Sequence, residues 1–173
     1  MLSALATLVL LGGGAWLTAR PIVGTPAERM RTSVFEFELA PGWSCVREGT
    51  EHVCRKATAA REAVAILTMK ERGPSDTHAR YKEHLSTPQQ VEDQAGEKRT
   101  SQVIAVELRH LGGRNWVFGR HLGSEVRNYY TDYYATLTSH KAILLTFSVH
   151  RSSVDAFEPE FARMVESLKV FQN

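Results

Sequence analysis

The most regular pattern in this chain lies in residues 102–151, where four runs rich in β-branched and aromatic residues alternate with short polar breaks. The breaks consist of glycine or small polar residues, and they are Gly112 with Gly113, Ser124 with Glu125, and Ser139 with His140. Such a pattern is typical of an antiparallel meander with tight hairpins. We therefore expect the rest of the chain to be organised around this sheet.

The three expected turns also set which side chains share a face of the sheet. One face would carry Ile104, Val106, Leu108, Val117, Tyr130, Tyr134, Ile143, Leu145, Phe147 and Val149. The other would carry Val103, Ala105, Trp116, Phe118, Tyr129, Tyr133, Ala142 and Leu144. A sheet with one face in water would show polar residues on that face. The pattern therefore predicts that both faces are covered, with helices on each side.

Two segments upstream of the meander also predict strands. Residues 33–39 alternate between large apolar side chains and glutamates, which indicates a half-buried strand. Residues 63–70 form a nearly continuous apolar run, which is typical of a central strand covered on both faces.

Two segments predict helices. A helix over residues 77–85 could begin at Ser75 or Asp76, since both residue types cap helix N-termini well. In residues 154–171 the apolar residues follow a helical stripe, which is Phe157, Phe161, Met164, Val165 and Leu168. Because proline is tolerated in the first turn, Pro159 predicts that this regular helix begins near Glu158. The polar residues 87–100 predict a surface loop, which is either a solvated connection or a segment where a partner docks.

Two cysteines lie in the two arms of an expected hairpin, whose turn contains Gly49 and Thr50. Pairing the two arms around this turn places Cys45 directly opposite Cys54. Directly opposed strand residues have Cβ atoms near the separation that a disulfide needs. The spacing predicts a disulfide if the chain is exported to an oxidising compartment, and two inert thiols if it is not.

The amino terminus is apolar and uncharged from residue 1 to residue 19, and Arg20 and Pro21 end this run. We interpret residues 1–20 as a signal peptide or a membrane anchor, residues 21–32 as a tether, and residues 33–173 as a single α+β domain. The alternative is a buried helix of the domain, but a surface helix would show a polar side.

Composition narrows the function classes. The chain has 173 residues, of which 43% are hydrophobic and 23% charged, as expected for a soluble globular domain. The net charge of +2 and the lack of a Lys/Arg block argue against nucleic-acid binding. Nothing in the composition suggests a cofactor.

No catalytic motif stands out in the sequence. The seven histidines form no H-x-H or H-E-x-x-H pair, and no three of them converge in the expected register, so we predict no metal site. Neither a nucleophile elbow nor a phosphate-binding loop occurs, and we expect a protein that is not an enzyme. The candidate ligand-binding residues are Tyr130, Asp132 and Tyr134, because an acid flanked by tyrosines can mark a site. Alternatively, Asp132 pairs with an arginine on a neighbouring strand while the tyrosines pack across strands.

Three stretches resemble PsbP/DcrB-type exported domains. They are the strand end Leu39-Ala40-Pro41-Gly42-Trp43, the strand at residues 141–148 that follows the tyrosine-rich run, and the closing helix at residues 161–170. The resemblance implies an α/β/α sandwich around a central antiparallel sheet. It also implies an accessory or binding protein without shared catalytic residues.

The leading hypothesis is therefore a non-catalytic accessory domain of the cell envelope that works by protein contacts. It would be periplasmic or otherwise extracytoplasmic, with residues 1–19 contacting the membrane if they are retained as an anchor. The alternative is a carrier of a small ligand or lipid that uses a tyrosine-lined groove.

Overall fold

The computed structural model describes residues 28–57, 62–92 and 96–171. The expected leader and most of the expected tether, residues 1–27, lie outside this part of the chain. Within the described ranges the strands are β1 (Glu28–Arg31), β2 (Phe35–Leu39), β3 (Ser44–Glu48), β4 (Glu51–Ala57), β5 (Glu62–Glu71), β6 (Gln90–Glu92), β7 (Lys98–Thr100), β8 (Gln102–Leu111), β9 (Arg114–Leu122), β10 (Tyr129–Leu137), β11 (Lys141–His150) and β12 (Lys169–Val170). The helices are α1 (His78–Leu85) and α2 (Val154–Ser167), and a short 3-10 turn at Arg151–Ser153 leads into α2.

An antiparallel seven-stranded sheet dominates the fold, with the order β3-β4-β5-β11-β10-β9-β8. The expected meander supplies four of its strands, and the apolar run at residues 63–70 lies in β5 between β4 and β11. A second sheet has the order β1-β2-β12, and β6 pairs with β7. The described residues thus form mostly antiparallel sheet with two helices, which is an α+β fold.

One face of the large sheet packs against α2 and the small sheet. The core here joins Phe147 of β11 to Phe161 of α2 and to Phe35 of β2. The rings of Phe147 and Phe161 stack with centroids 4.5 Å apart. Burying an aromatic side chain of this size contributes roughly 1.5–3 kcal/mol, so these contacts hold α2 on the sheet.

The other face packs against α1. Leu85 at the end of this helix contacts Val117 of β9 and Ala135 of β10. Val117 and Phe118 are neighbours in one strand and therefore point to opposite faces. Phe118 belongs to the core under α2, so the two helices contact opposite faces of the large sheet.

The link between β9 and β10 corrects the expected register. A tight turn at Ser124 and Glu125 was expected, but the strands are joined by the longer segment 123–128 and His121 pairs with Thr131. Gly123 and Asn128 adopt positive φ at the two ends of this loop, a conformation that these two residue types tolerate best. As a result, Tyr130 and Tyr134 share a face with Trp116 and Phe118, and not with Val117.

Element ends differ from expectation at both helices. Thr77 caps α1, since its hydroxyl accepts a hydrogen bond from the backbone N–H of Arg80. Asp76 instead accepts one from the N–H of Gly73 at 2.7 Å. Helix α2 begins at Val154, so Pro159 lies inside it. The hydrogen bond that Pro159 cannot make would go to the carbonyl of Asp155, an exposed residue whose carbonyl can bond to water.

Two segments expected to be irregular contain strands. The end of the expected tether forms β1, where Arg29 pairs with Glu36 and Glu38 of β2. The expected surface loop at residues 87–100 contains β6 and β7. Neither segment alternates clearly between apolar and polar residues, so periodicity alone could not reveal them.

Candidate functional site

Asp132 lies in the middle of β10, opposite Arg120 of β9. The Arg120 guanidinium donates from Nε to Oδ1 at 2.6 Å and from Nη2 to Oδ2 at 2.7 Å. The Asp132 side chain is 3% exposed, and burial raises the pKa of its carboxyl while the two hydrogen bonds from Arg120 oppose that effect. The same hydrogen bonds raise the pKa of Arg120 above its ordinary value. Because a guanidinium does not release its proton, we assign an ionised, bidentate pair.

Arg120 also connects the sheet to α2. Its Nη2 lies 3.3 Å from Oε1 of Glu158, and its guanidinium carbon lies 5.7 Å from the ring centroid of Tyr130. Both Asp132 oxygens are therefore engaged with a cation that a second carboxylate and an aromatic ring also contact. This arrangement fixes β9, β10 and α2 relative to one another.

Tyr134 belongs to an aromatic cluster on the same face. Its ring lies 4.9 Å from that of Phe118 and 5.8 Å from that of Phe147, measured between centroids. Its hydroxyl accepts a hydrogen bond from Nη1 of Arg109 at 3.1 Å. Burial raises the pKa of Tyr134 to about 12, so the phenol stays protonated at neutral pH.

The three residues singled out from the sequence thus lie together on one face of β10. Asp132 and Tyr134 are each 3% exposed, and Tyr130 is half-buried. The described cavities of the domain are lined by other residues. The sequence left open that Asp132 pairs with an arginine on a neighbouring strand, and its carboxylate does so with Arg120.

A buried histidine on the opposite face was missed as a structural element. His121 is 0% exposed, and its Nε2 donates to the backbone carbonyl of Leu85 at 2.8 Å. Its Nδ1 lies 3.3 Å from the hydroxyl of Ser101, which in turn accepts from the N–H of Gln89. The bond from His121 to Leu85 thus holds the end of α1 to β9. Ser101 is 4% exposed and bonded on both sides, so its contact with His121 holds the segment between β7 and β8 to β9.

A polar group borders the same region. The hydroxyl of Tyr133 contacts Ser124 Oγ at 3.0 Å and Glu125 Oε1 at 2.9 Å, beside a cavity of about 390 Å³. Burial raises the pKa of Tyr133 above its ordinary range. The hydrogen bonds of Tyr133 thus anchor the 123–128 loop to the sheet.

Cys45 and Cys54 form a disulfide across β3 and β4, which confirms the predicted pairing. The symmetry of the hairpin around Gly49 and Thr50 was sufficient to find it. Cys54 is 1% exposed and packs in the core, so the bridge attaches the outer strand β3 to the folded body.

A cavity of about 540 Å³ lies between the small sheet and strands β4 and β5. Its lining comes from five separate parts of the chain, so no local sequence motif predicted it. In the described ranges, no group of His, Cys, Asp or Glu side chains has the geometry of a metal site. Neither described helix is both long and apolar enough to cross a membrane.

Solved structures provide the comparison for this fold. No family model matches the chain, and no curated protein matches it in sequence. The solution structure of cyanobacterial PsbP (CyanoP) from Synechocystis covers 90% of this chain and 99% of its own, with 18% identity and a TM-score of 0.56. LpqN of Mycobacterium tuberculosis, described as involved in cell envelope biogenesis, covers 87% of this chain and 88% of its own, with 9% identity and a TM-score of 0.52. The chain therefore has the fold-level, PsbP-like resemblance that its sequence indicated.

Proposed function

We propose that this protein is a non-catalytic, extracytoplasmic accessory domain of the cell envelope that binds another protein. The likeness to PsbP and to LpqN, whose description names cell envelope biogenesis, supports this class of function. The disulfide supports the compartment, because such bridges persist in oxidising environments. In the described residues, the buried polar groups discussed above are engaged in structural contacts.

The observation that carries the proposal is the open edge of the large sheet at β8. This strand ends the sheet order, so one side of its backbone has no neighbouring strand in the described part of the chain. Ile104 and Leu108 on it are 43% and 62% exposed. An exposed edge with large apolar side chains is a template for pairing with a strand of another chain. The partner would thus add a strand next to β8.

The test is cross-linking of the full chain in native membranes, with Leu108→Asp compared with Val46→Asp. Val46 is a matched control, since it is 52% exposed on β3, the strand at the other edge of the same sheet. Leu108→Asp should remove a cross-linked species that the wild type and Val46→Asp both retain. An unchanged species in Leu108→Asp would contradict docking at β8. A cross-linked dimer of this chain alone would contradict a heterologous partner.

The remaining architecture belongs to the same proposal. Residues 1–20 would be a signal peptide or membrane anchor, followed by a tether that ends where β1 begins. The chain from β1 onward would be one domain arranged as an α/β/α sandwich, with the large antiparallel sheet as its middle layer. The helix contacts on opposite faces of that sheet support this arrangement.

The second candidate function is a small-ligand or lipid carrier that uses Tyr130, Asp132 and Tyr134. It is supported by Tyr130, which remains half-buried beside the charged Arg120. A ligand at this place should lose affinity in Tyr130→Ala and should retain it in Tyr129→Ala, since Tyr129 lies on the opposite face of β10. Equal affinities in the two variants would refute the tyrosine groove.

A further inference from the structure

The cavity between the two sheets combines an apolar interior with a basic rim. Its apolar lining consists of Met30, Val34, Phe35, Leu67, Met69, Val170 and Phe171. Phe35 and Leu67, at 0% and 2% exposed, are the most deeply buried residues of this lining. Its volume of about 540 Å³ falls within the range of ~300–1,000 Å³ that is typical of small-molecule sites.

The side chains at the rim are basic or neutral. Arg47 and Lys141 are the charged residues of the lining, which contains no carboxylate. Within the described residues no carboxylate pairs with Arg47, whose Nε donates to the carbonyl of Gly49 at 3.2 Å. Lys141 pairs with Glu71, but the Glu71 side chain is 77% exposed. A surface pair of this kind contributes little and can open for a ligand.

His52 links the rim to the interior. Its ring meets that of Phe35 edge to face at 4.8 Å between centroids. Burial, together with the charge of Arg47, lowers the pKa of His52, so the imidazole is neutral at neutral pH. A neutral ring offers one hydrogen-bond donor without adding charge. The charge of the rim therefore comes from Arg47 and Lys141.

We propose that this cavity binds a free fatty acid, with the acyl chain between the sheets and the carboxylate at Arg47 and Lys141. The apolar interior excludes ligands that are polar throughout, and the basic rim selects an anionic headgroup over a neutral one. A guanidinium and a carboxylate can form two parallel hydrogen bonds, which fixes the orientation of the ligand. This site goes beyond the protein-binding function proposed above, and it lies apart from both β8 and the tyrosines of β10.

The test is calorimetric titration of the full chain with dodecanoate below its micelle concentration. Dodecanol and acetate serve as probes that lack the charge or the chain. Arg47→Glu is compared with Arg163→Glu, an identical change of charge at an exposed position of α2. Val34→Trp fills the cavity from the loop between β1 and β2. Each variant is accepted for titration only if its unfolding transition matches that of the wild type.

Dodecanoate should bind saturably at one site, and acetate should not bind. Loss of a charged hydrogen bond should weaken dodecanoate binding roughly tenfold or more in Arg47→Glu, and Val34→Trp should abolish it. Arg163→Glu should match the wild type. The proposal is overturned if dodecanoate does not saturate, if dodecanol binds equally well, or if Arg47→Glu and Arg163→Glu behave alike. Binding to anionic vesicles without binding to dodecanoate would also overturn it, because it would indicate a membrane surface.

Discussion

Replacing Arg120 with methionine would leave the Asp132 carboxylate buried and unpaired. Asp132 is 3% exposed and has Arg120 as the donor to both of its oxygens. Removing one partner of a buried ion pair costs about 3–5 kcal/mol, because the remaining charge has lost its compensation. Glu158 would lose a contact as well, but its side chain is 46% exposed and water can replace the guanidinium. We therefore expect Arg120→Met to lower the free energy of unfolding by about 3–5 kcal/mol at neutral pH.

The pH dependence of this loss separates a lost charge from lost packing. Burial raises the folded-state pKa of Asp132 above its ordinary value of 3.8, and Arg120 opposes that rise. Without Arg120 the pKa should rise further. A carboxyl with a raised folded pKa stabilises the fold while it is protonated, and this contribution is lost as the pH rises from its unfolded pKa through its folded pKa. The deficit of Arg120→Met should therefore shrink on acidification toward pH ~4.

Urea unfolding between neutral and acidic pH measures both effects. The double variant Arg120→Met/Asp132→Leu removes the charge together with its partner and should recover most of the lost stability. Arg163→Met, at an exposed position, should change stability by about 0.5 kcal/mol or less. A deficit that is independent of pH, or a double variant as unstable as Arg120→Met, would refute an ionised pair whose strength depends on burial.

Two further predictions concern the ends of the domain and its bridge. The bond between Cys45 and Cys54 closes a short loop, with a sequence separation of 9. Its reduction should lower the free energy of unfolding by about 2–3 kcal/mol. Free thiols found by non-reducing peptide mass analysis of exported protein would contradict the bridge. Removing residues 1–27 should leave a cooperatively folding domain. Removing residues 1–32 deletes β1 as well, including Met30, which packs against the core, and should cost roughly 2 kcal/mol more. Equal thermal unfolding of the two truncated chains would show that β1 contributes no stability.

Local sequence patterns predicted the structure correctly where the feature lies within a single hairpin or helix. The disulfide followed from the symmetry of one hairpin, and the stripe of α2 predicted the buried residues Phe157 and Phe161. Strand β1 could not be predicted in this way, because its sequence ERMR has no apolar alternation and the carboxylates that Arg29 contacts, Glu36 and Glu38, lie on a different strand. The register error at β9 and β10 arose because two positive-φ residues close a longer loop than the residue types at its centre suggested.

In the candidate sites too, local sequence identified single residues, whereas their partners depend on the fold. Asp132 could be singled out because it interrupts a run of tyrosines, but only the pairing of β9 with β10 identifies Arg120 as its partner. The cavity between the sheets depends on residues as distant in sequence as Met30 and Phe171. Because no short segment of the sequence contains all of these residues, the combination of a basic rim and an apolar interior could not be predicted from local patterns.

The small sheet has a mechanical consequence for the molecule. Strands β1 and β12 flank β2 and are its two neighbours in the sheet. A pulling force applied through the segment before Glu28 would act first on the four residue pairs that join β1 to β2. In a hairpin loaded from its open end these pairs separate one after another, so β1 would peel away at low force. The long antiparallel ladders of the seven-stranded sheet would still be intact at that point.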